Sequence, residues 1–509
     1  MQRFISFLVF LPFAPVLLLM VLAFRVYRQV LSYILRVKHG DSFVGMLDGR
    51  DAMWGLEEHK NCGVVNIVAF VEDSAVKGED DLPEKLRGIF VKRFATLIEH
   101  KRDQYRKGLL KRNRAFGYYY WTDDLNIKAG DYIRLVEPKS RGVNLSELEI
   151  QELAGRITTA NLPYNHSALW EIVVFSKPIL DDKRNVLKYP VFLRFHHSMG
   201  DGVAILRFVM EEIMNPTEMW KFSPKVDSKP GSHQTNNLSV WLNALYEFPA
   251  HIIRILLIRS DKNSLDTNNI SPHKMVCWQN ERSVCKSLRW LPLLEKIQTR
   301  QSGVAYSSVF LTALSGTLHK YFDARGEHPG ALTIALPIRM KHEEVNLKLE
   351  NAFATPMERI PLKPCVQLDD PSRQQKLINN LAAMKQTTKI LRSTSNLLIT
   401  HLITISLAAA FPMPILKYLS KLFHITASVS AMPMLKKNLQ VGPYELKDMI
   451  FWPPAFGSVG LNFSLFVYGN QLQLALLADG SVLGTVQEGM DLLEEIMHEI
   501  ERMDTVMGE

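Results

Sequence analysis

Hydrophobic and polar positions divide the chain into an apolar N-terminal run and a long body in which strand-like and helix-like patterns alternate. Runs of β-branched and aromatic residues predict strands, and apolar residues at three- and four-residue spacing predict helices. The predicted strands are Val64 to Val71, Tyr118 to Trp121, Trp170 to Phe175, Val191 to Phe195, Leu332 to Leu336, Gly460 to Val467 and Leu472 to Ala478. The predicted helices are Pro83 to His100, Val203 to Met214, Ser307 to Tyr321, Gln374 to Leu391 and Thr485 to Met503. This alternation indicates a mixed α/β fold.

The N-terminal run contains no charged residue from Phe4 to Phe24. Its length predicts a transmembrane helix, since about 20 apolar residues cross a bilayer core of about 30 Å. Basic residues follow the run at Arg25, Arg28, Arg36 and Lys38. Because positive charge is retained on the cytosolic side of a membrane, we expect the body to face the cytosol.

Other arrangements of the apolar segments remain open. Pro12 and Pro15 lie within the N-terminal run and allow a bent or re-entrant hairpin. A cleaved signal peptide is less favoured, because the run is long and no small-residue cleavage site closes it. Two further segments, Trp241 to Ile258 and Leu397 to Leu416, are apolar enough for core helices or for contacts with a bilayer surface.

A polar stretch rich in Ser, Pro, Asn and Lys, residues 222–240, indicates a linker within the body. We therefore predict four parts. They are a membrane anchor with its basic flank (1–40), a first half (41–221), a linker with an amphipathic helix (222–275) and a second half (276–509).

Composition, charge and cysteine spacing limit the kinds of binding partner and site that we expect. The chain has 509 residues, 47% of them hydrophobic, and a formal net charge of +8. Its basic residues are dispersed and form no recognition-helix pattern, which favours an anionic membrane surface over nucleic acid. The four cysteines, Cys62, Cys277, Cys285 and Cys365, lie far apart, so neither a disulfide framework nor a zinc site is expected.

The segment with the clearest chemical meaning is His196-His197-Ser198-Met199-Gly200-Asp201-Gly202, between a predicted strand and a predicted helix. Alternation along the strand places His197 on the same face as Val191, Leu193 and Phe195. An imidazole among apolar groups stays neutral and can accept a proton near neutral pH. We therefore predict that His197 is a general base.

The other residues of this segment have structural interpretations. Asp201 is a suitable N-cap for the helix that begins at Val203, and Gly202 allows a close approach of the backbone. The alternative for the whole segment is a pair of structural histidines at a strand end, but the seven-residue pattern favours catalysis.

The pattern H-H-x-x-x-D-G resembles that of the CoA-dependent acyltransferase superfamily, and within it the wax ester synthase/diacylglycerol acyltransferase family. Three further stretches carry the resemblance: Leu47 to Trp54 with Glu57, Leu169-Trp170-Glu171, and Ala478-Asp479. The chain departs from the family pattern at Ser307-Ser308, at Ser428 to Pro433 and at Ala168, which stands where the family often has proline.

The resemblance implies two chloramphenicol-acetyltransferase-like halves with a tunnel between them. It implies that His197 deprotonates a hydroxyl that attacks the thioester of acyl-CoA, which is a co-substrate rather than a bound cofactor. It also implies that His196 supports the geometry of the loop. The leading hypothesis is transfer of a long-chain acyl group to a fatty alcohol or diacylglycerol at the endoplasmic reticulum. The alternatives are acylation of another hydroxyl or amine, and a catalytically inert, membrane-tethered lipid-binding protein.

Overall fold

The computed structural model describes the chain apart from residues 1, 57–60, 74–80, 101–102, 125, 140–141, 164–166, 182–185, 215–237, 268, 281–289, 302, 341–347, 365–369 and 509. The helices are α1 Gln2–Phe10, α2 Ala14–His39, α3 Gly49–Ala52, α4 Leu82–His100, α5 Ala129–Tyr132, α6 Glu147–Thr159, α7 Gly202–Phe208, α8 Leu238–Leu257, α9 Trp290–Arg300, α10 Tyr306–Asp323, α11 Arg373–Leu391, α12 Thr394–Ala410, α13 Met413–Ser420 and α14 Val486–Gly508.

The strands alternate with these helices along the body. They are β1 Phe43–Met46, β2 Val64–Asp73, β3 Leu110–Ala115, β4 Tyr118–Asp123, β5 Ile133–Val136, β6 Trp170–Phe175, β7 Ile179–Asp181, β8 Val186–His196, β9 Lys274–Asn280, β10 Ala331–Ala335, β11 Ile338–Arg339, β12 Phe353–Ala354, β13 Met357–Pro361, β14 Ala427–Ala431, β15 Gln440–Val441, β16 Tyr444–Trp452, β17 Leu461–Tyr468 and β18 Gln471–Asp479. Each predicted strand and helix of the body overlaps one of these elements.

Two mixed sheets organise the body. Among the described residues, the first has the order β15-β16-β2-β8-β6-β5, with β7 paired to β8, and the second has the order β13-β10-β14-β17-β18-β9. Each sheet has its own apolar core. The strand β16 comes from the second half of the chain but pairs with β2 of the first sheet, so the two halves are joined by a crossover.

The strand that leads to the histidines is central in the first sheet. β8 lies between β2 and β6 and is antiparallel to both. Its residues from Tyr189 to His196 are buried, which fits a run of apolar residues in a strand covered on both faces. A rigid central strand therefore positions the segment that follows it.

The N-terminal apolar run from Phe4 to Phe24 is broken near Pro12 and Pro15, as the alternative of a bent segment allowed. α1 ends at Phe10, and α2 begins at Ala14 with Pro15 in its first turn. Proline lacks an amide hydrogen and is tolerated only at a helix start, so Pro12 and Pro15 set this break. Of the described helices, the one spanning Ala14–Ser42 is long and apolar enough to cross a membrane, by length and composition.

Two other elements differ from the sequence prediction. The helix expected from Val203 to Met214 is α-helical only to Phe208 and continues as a π-helical turn, Val209–Ile213. The apolar stretch Leu397 to Leu416 is divided at Phe411 and Pro412 between α12 and α13. Most of the polar stretch 222–240 of the predicted linker, residues 222–237, lies outside the described residues, so the domain limits stay a prediction.

Candidate active site

His197 begins the turn after β8, and its backbone is fixed by the neighbouring strand. The His197 amide donates to the carbonyl of Gly63, at 2.9 Å. Gly63 has a φ of +64°, and a Cβ there would lie 2.9 Å from Nε2 of His196. Glycine is therefore required at this position, because the left-handed conformation and the close imidazole both exclude a side chain.

The His197 ring is enclosed by aromatic groups. Trp54 stacks on it with 3.8 Å between ring centroids, and Phe353 lies 5.5 Å away. Only 8% of the residue is exposed. Burial in this setting lowers the pKa of His197 to about 3, because the charged imidazolium loses its hydration. The imidazole is therefore neutral near neutral pH.

A hydrogen bond from the second half of the chain orients this ring. Nδ1 of His197 lies 3.0 Å from Oδ1 of Asn351. The Asn351 amide nitrogen donates to Oδ1 of Asp51 at 2.9 Å and to the His197 carbonyl at 2.7 Å. Since that nitrogen already has two acceptors, Asn351 presents its oxygen to the ring. The neutral imidazole then carries its hydrogen on Nδ1 and its lone pair on Nε2.

Asp51 accepts a hydrogen bond from Asn351 and helps to hold it in place. Asp48 caps the short helix α3 by accepting from the amides of Arg50 and Asp51, and this places Asp51 against the site. Its carboxylate forms a buried ion pair with Lys107. Burial nevertheless raises the pKa of Asp51 to about 6, against the opposing effects of Lys107 and Asn351.

His196 is engaged in a different way. The Ser198 amide donates to its Nδ1 at 3.0 Å, and the Ser198 hydroxyl lies 2.8 Å from the same atom. Nη1 of Arg112 lies 3.1 Å from Nε2. Both ring nitrogens of His196 therefore face protein groups, which suits a supporting role better than proton abstraction.

Asp201 connects the turn after β8 to residues of the second half of the chain. It N-caps α7 by accepting from the amides of Val203 and Ala204, at 3.1 and 3.0 Å. Its Oδ2 accepts from the Ala352 amide at 2.9 Å, and Arg339 forms an ion pair with the capping oxygen, Oδ1, at 2.5 Å. Gly202 is the first residue of α7, and a Cβ there would lie 2.9 Å from the Met432 sulfur.

The remaining stretches of the predicted family pattern contribute to packing. Glu171 pairs with the buried Arg194, and Asp479 with Lys274 at 2.5 Å. The hydroxyls of Ser308 and Ser428 bond to Thr388 and Asn462, at 2.8 and 2.7 Å. Glu57 lies outside the described residues. No cluster of residues able to hold a metal ion occurs in the described part of the chain.

Sequence reasoning missed the partners of His197. Trp54 and Asp51 were recognised only as members of a motif, and Asn351 and Lys107 were not singled out. A single asparagine 154 residues from His197 carries no local signal. The Asp51–Asn351–His197 chain becomes visible only when the two halves are brought together.

Solved structures similar to this chain define its fold. The wax ester synthase/diacylglycerol acyltransferase from Marinobacter aquaeolei is 15% identical with a TM-score of 0.59, covering 90% of this chain and 100% of its own. The trichothecene 15-O-acetyltransferase from Fusarium sporotrichioides is 11% identical with a TM-score of 0.62, covering 89% and 94%. The fold is thus that of the acyltransferases and condensation domains that share two joined α/β halves.

A comparison of the sequence with known protein families is more specific than the fold. Residues 365–501 match the model of the WS/DGAT C-terminal domain. With the shared fold, this match confirms the resemblance to the wax ester synthase/diacylglycerol acyltransferase family that was drawn from the motifs. No curated protein matches the chain by sequence.

Proposed function

We propose that the protein is an acyl-CoA-dependent O-acyltransferase that moves a long-chain acyl group to a lipid hydroxyl. The acceptor would be a fatty alcohol or diacylglycerol, and the product a wax ester or a triacylglycerol. One observation carries the proposal: His197 is neutral, lies against Trp54 and is held through Nδ1 by Asn351. Its Nε2 lone pair is thereby reserved for a substrate proton.

The reaction follows from that tautomer. Nε2 takes the proton of the acceptor hydroxyl as the oxygen attacks the thioester carbonyl, giving a tetrahedral oxyanion. The carbon–sulfur bond then breaks, and the thiolate of CoA leaves with the proton from the imidazolium. General base catalysis of this kind is worth about 10²–10⁴-fold in rate. No covalent acyl-enzyme is required.

The low pKa of His197 is compatible with this role. A buried imidazolium is unstable on its own, but in the reaction it forms beside the negative charge that develops on the substrate. The hydrogen on Nδ1 is already bonded to Asn351, which also stabilises the cation. The proton is therefore transferred only when the acceptor attacks.

The condensation domain of rhizomide synthetase, 11% identical with a TM-score of 0.54 over 92% of this chain, was solved with C8-CoA. That similarity supports acyl-CoA as the donor. The apolar N-terminal helices support a membrane location, which we propose to be the endoplasmic reticulum with the body facing the cytosol. A tunnel between the halves would admit acyl-CoA from one side and the acceptor from the other.

The test uses membranes containing the wild type, His197→Ala or His196→Ala, with labelled palmitoyl-CoA and a panel of hexadecanol, dioleoylglycerol and other hydroxyl and amine acceptors. We expect ester formation by the wild type and its loss in His197→Ala. His100→Ala is the matched control, because His100 is exposed and its ring contacts the Thr96 carbonyl of its own helix. Equal labelling by wild type and His197→Ala for every acceptor would favour an inert lipid-binding protein. Loss of activity only in His196→Ala would assign the base to the other ring.

A further inference from the structure

The helix α2 lies along the body over nearly its whole length. Leu17 packs against the first core, Phe24 meets Phe411 edge to face with 5.3 Å between ring centroids, and Leu31 and Leu35 are buried. At its end, His39 lies 3.0 Å from the hydroxyl of Tyr120. From Leu17 to His39 this attachment covers about 33 Å at 1.5 Å per residue. The helix is therefore fixed sideways to the protein and does not project from it.

The opposite face of α2 is apolar and uncovered. Leu18, Leu19, Val30, Tyr33 and Val37 are all exposed there. Among the described residues, all exposed large apolar side chains but six lie between Phe4 and Val37 or on α8. Exposed apolar residues on a soluble protein are normally single and scattered, so a concentration of them in one region marks an interaction surface.

The neighbouring elements extend the same surface. α1 packs against α8 through Phe7 with Tyr246 and Phe10 with Phe248, with ring centroids 5.9 and 6.0 Å apart. The β3–β4 hairpin approaches α13 where the Met413 amide donates to the Gly117 carbonyl at 2.7 Å. Its tip residue, Phe116, is 72% exposed.

Charge indicates what covers this surface. No Asp or Glu occurs in residues 1–40, which contain Arg3, Arg25, Arg28, Arg36 and Lys38. In this N-terminal part, an apolar face with basic and no acidic residues is complementary to an anionic lipid leaflet. A protein partner would bring hydrogen-bonding groups, whereas this face offers almost none.

A helix attached sideways for about 33 Å cannot cross a bilayer core of about 30 Å unless the body enters it as well. The hairpin beside α2 carries the exposed Arg114, and a charged residue at the bilayer centre is strongly disfavoured. We propose that α1, α2, α8 and Phe116 form a docking face that lies in one leaflet of an anionic membrane, with α2 parallel to the membrane plane.

The docking face also suggests how the acceptor arrives, a step that rests on the proposed function. α12 contacts α2 and α8 on the membrane side, and α3 and β12 on the site side. α3 carries Asp51, and β12 begins at Phe353, which faces His197. A lipid that leaves the leaflet beside α12 is therefore only one helix away from the site.

The topology is tested with tags at both ends of the full chain in sealed microsomes. A parallel α2 leaves both tags on the outer side, so added protease should remove both while a lumenal marker stays intact. Protection of one tag, or loss of the N-terminal tag during maturation, would overturn the proposal. This readout does not depend on enzyme activity.

Membrane binding is tested by flotation of the purified full chain with phosphatidylcholine vesicles, with and without phosphatidylserine. We expect phosphatidylserine to increase binding and salt to reduce it. Leu19→Glu should lower vesicle binding about tenfold or more, since a charge replaces a leucine that would enter the leaflet. Leu148→Glu, at a residue that is also exposed but lies on α6, is the matched control and should bind as the wild type does. Equal binding by the two variants would contradict the proposal.

Activity separates this inference from the proposed function. Leu19→Glu should esterify a short, water-soluble alcohol at the wild-type rate and lose turnover only with hexadecanol in vesicles. Unchanged turnover with hexadecanol would overturn delivery from the leaflet. A wild type inactive with every acceptor would instead refute the acyltransferase proposal and leave the docking face standing.

Discussion

Oδ1 of Asn351 lies 3.0 Å from Nδ1 of His197, so a residue of the second half holds the proposed base of the first. The same asparagine donates to the His197 carbonyl and to Asp51. A change in the packing of the two halves would therefore alter the orientation of the imidazole. Catalytic geometry and assembly of the halves depend on one side chain.

Replacing this asparagine should impair chemistry more than binding. In Asn351→Ala the ring loses its orienting acceptor, and we expect kcat to fall by about 10–10²-fold, within the range of a general base contribution. The KM for acyl-CoA should change little. Asn462→Ala is a control that removes a buried asparagine from β17, which belongs to the second sheet.

A double exchange provides a sharper version of this experiment. Asn351→Asp combined with Asp51→Asn keeps an acceptor for Nδ1 and a hydrogen bond between the two side chains. It should recover part of the rate that Asn351→Ala loses. Wild-type kcat in Asn351→Ala, or no recovery in the exchange, would contradict a positioning role.

The pH dependence should be governed by Asp51 rather than by His197. Burial lowers the pKa of His197 to about 3, so its active neutral form persists as the pH falls through the ordinary value of 6.5. The pKa of Asp51 is raised to about 6, so below that pH the carboxyl group is neutral, accepts more weakly from Asn351 and no longer forms an ion pair with Lys107. We expect kcat/KM to decline below about pH 6 for this reason.

Substitution of Asp51 identifies the group that titrates. Asp51→Asn should lower kcat/KM at neutral pH and remove the decline near pH 6, because it has no carboxylate to protonate. Initial rates in buffers of constant ionic strength are sufficient to measure both profiles. A decline that persists unchanged in Asp51→Asn would show that another group titrates.

Much of the body could be predicted from local sequence. β6 runs from Trp170 to Phe175 as the pattern of β-branched and aromatic residues indicates, and Asp201 follows β8 at a helix start. These features depend on neighbouring residues, so periodicity and capping preferences are enough to find them. The resemblance to the family likewise came from short motifs.

Contacts between distant segments could not be predicted in this way. Arg28 was expected beside a membrane span, but it lies within α2 and donates to the Leu47 carbonyl at 2.6 Å. Hydropathy measures how apolar a helix is and does not indicate which of its faces packs on the body. The outward apolar face of α2 and the partnership of Asn351 with His197 both depend on tertiary structure.

The contact between α3 and α12 should be intolerant of any side chain at Gly49. A Cβ there would lie 2.3 Å from the Thr404 carbonyl oxygen and 2.7 Å from the Ala409 amide nitrogen. Both are backbone atoms and cannot rotate away. We expect Gly49→Ala to destabilise the protein by about 1–3 kcal/mol, as overpacking does, and to lower kcat by displacing Asp51.

The matched control for this substitution is Gly88→Ala. Gly88 lies in α4, and a Cβ there would meet nothing within 4 Å. Alanine at this exposed helix position should be neutral or stabilising by about 0.5–1 kcal/mol. Thermal unfolding of the two variants compares them directly, and equal apparent Tm values would show that α3 and α12 can separate without cost.

Asp201 should act on stability and not on the proton transfer itself. Asp201→Ala removes acceptors from three backbone amides and leaves the partly buried Arg339 without this carboxylate. Loss of an N-cap alone costs about 1 kcal/mol, and breaking a buried ion pair costs about 3–5 kcal/mol. We expect a markedly lower apparent Tm, whereas Asp491→Ala on the exposed side of α14 should unfold as the wild type does.

The activity that remains per folded molecule should keep the wild-type pH profile, because His197 and Asp51 are unchanged. A shifted profile at an unchanged Tm would instead assign Asp201 a direct part in catalysis.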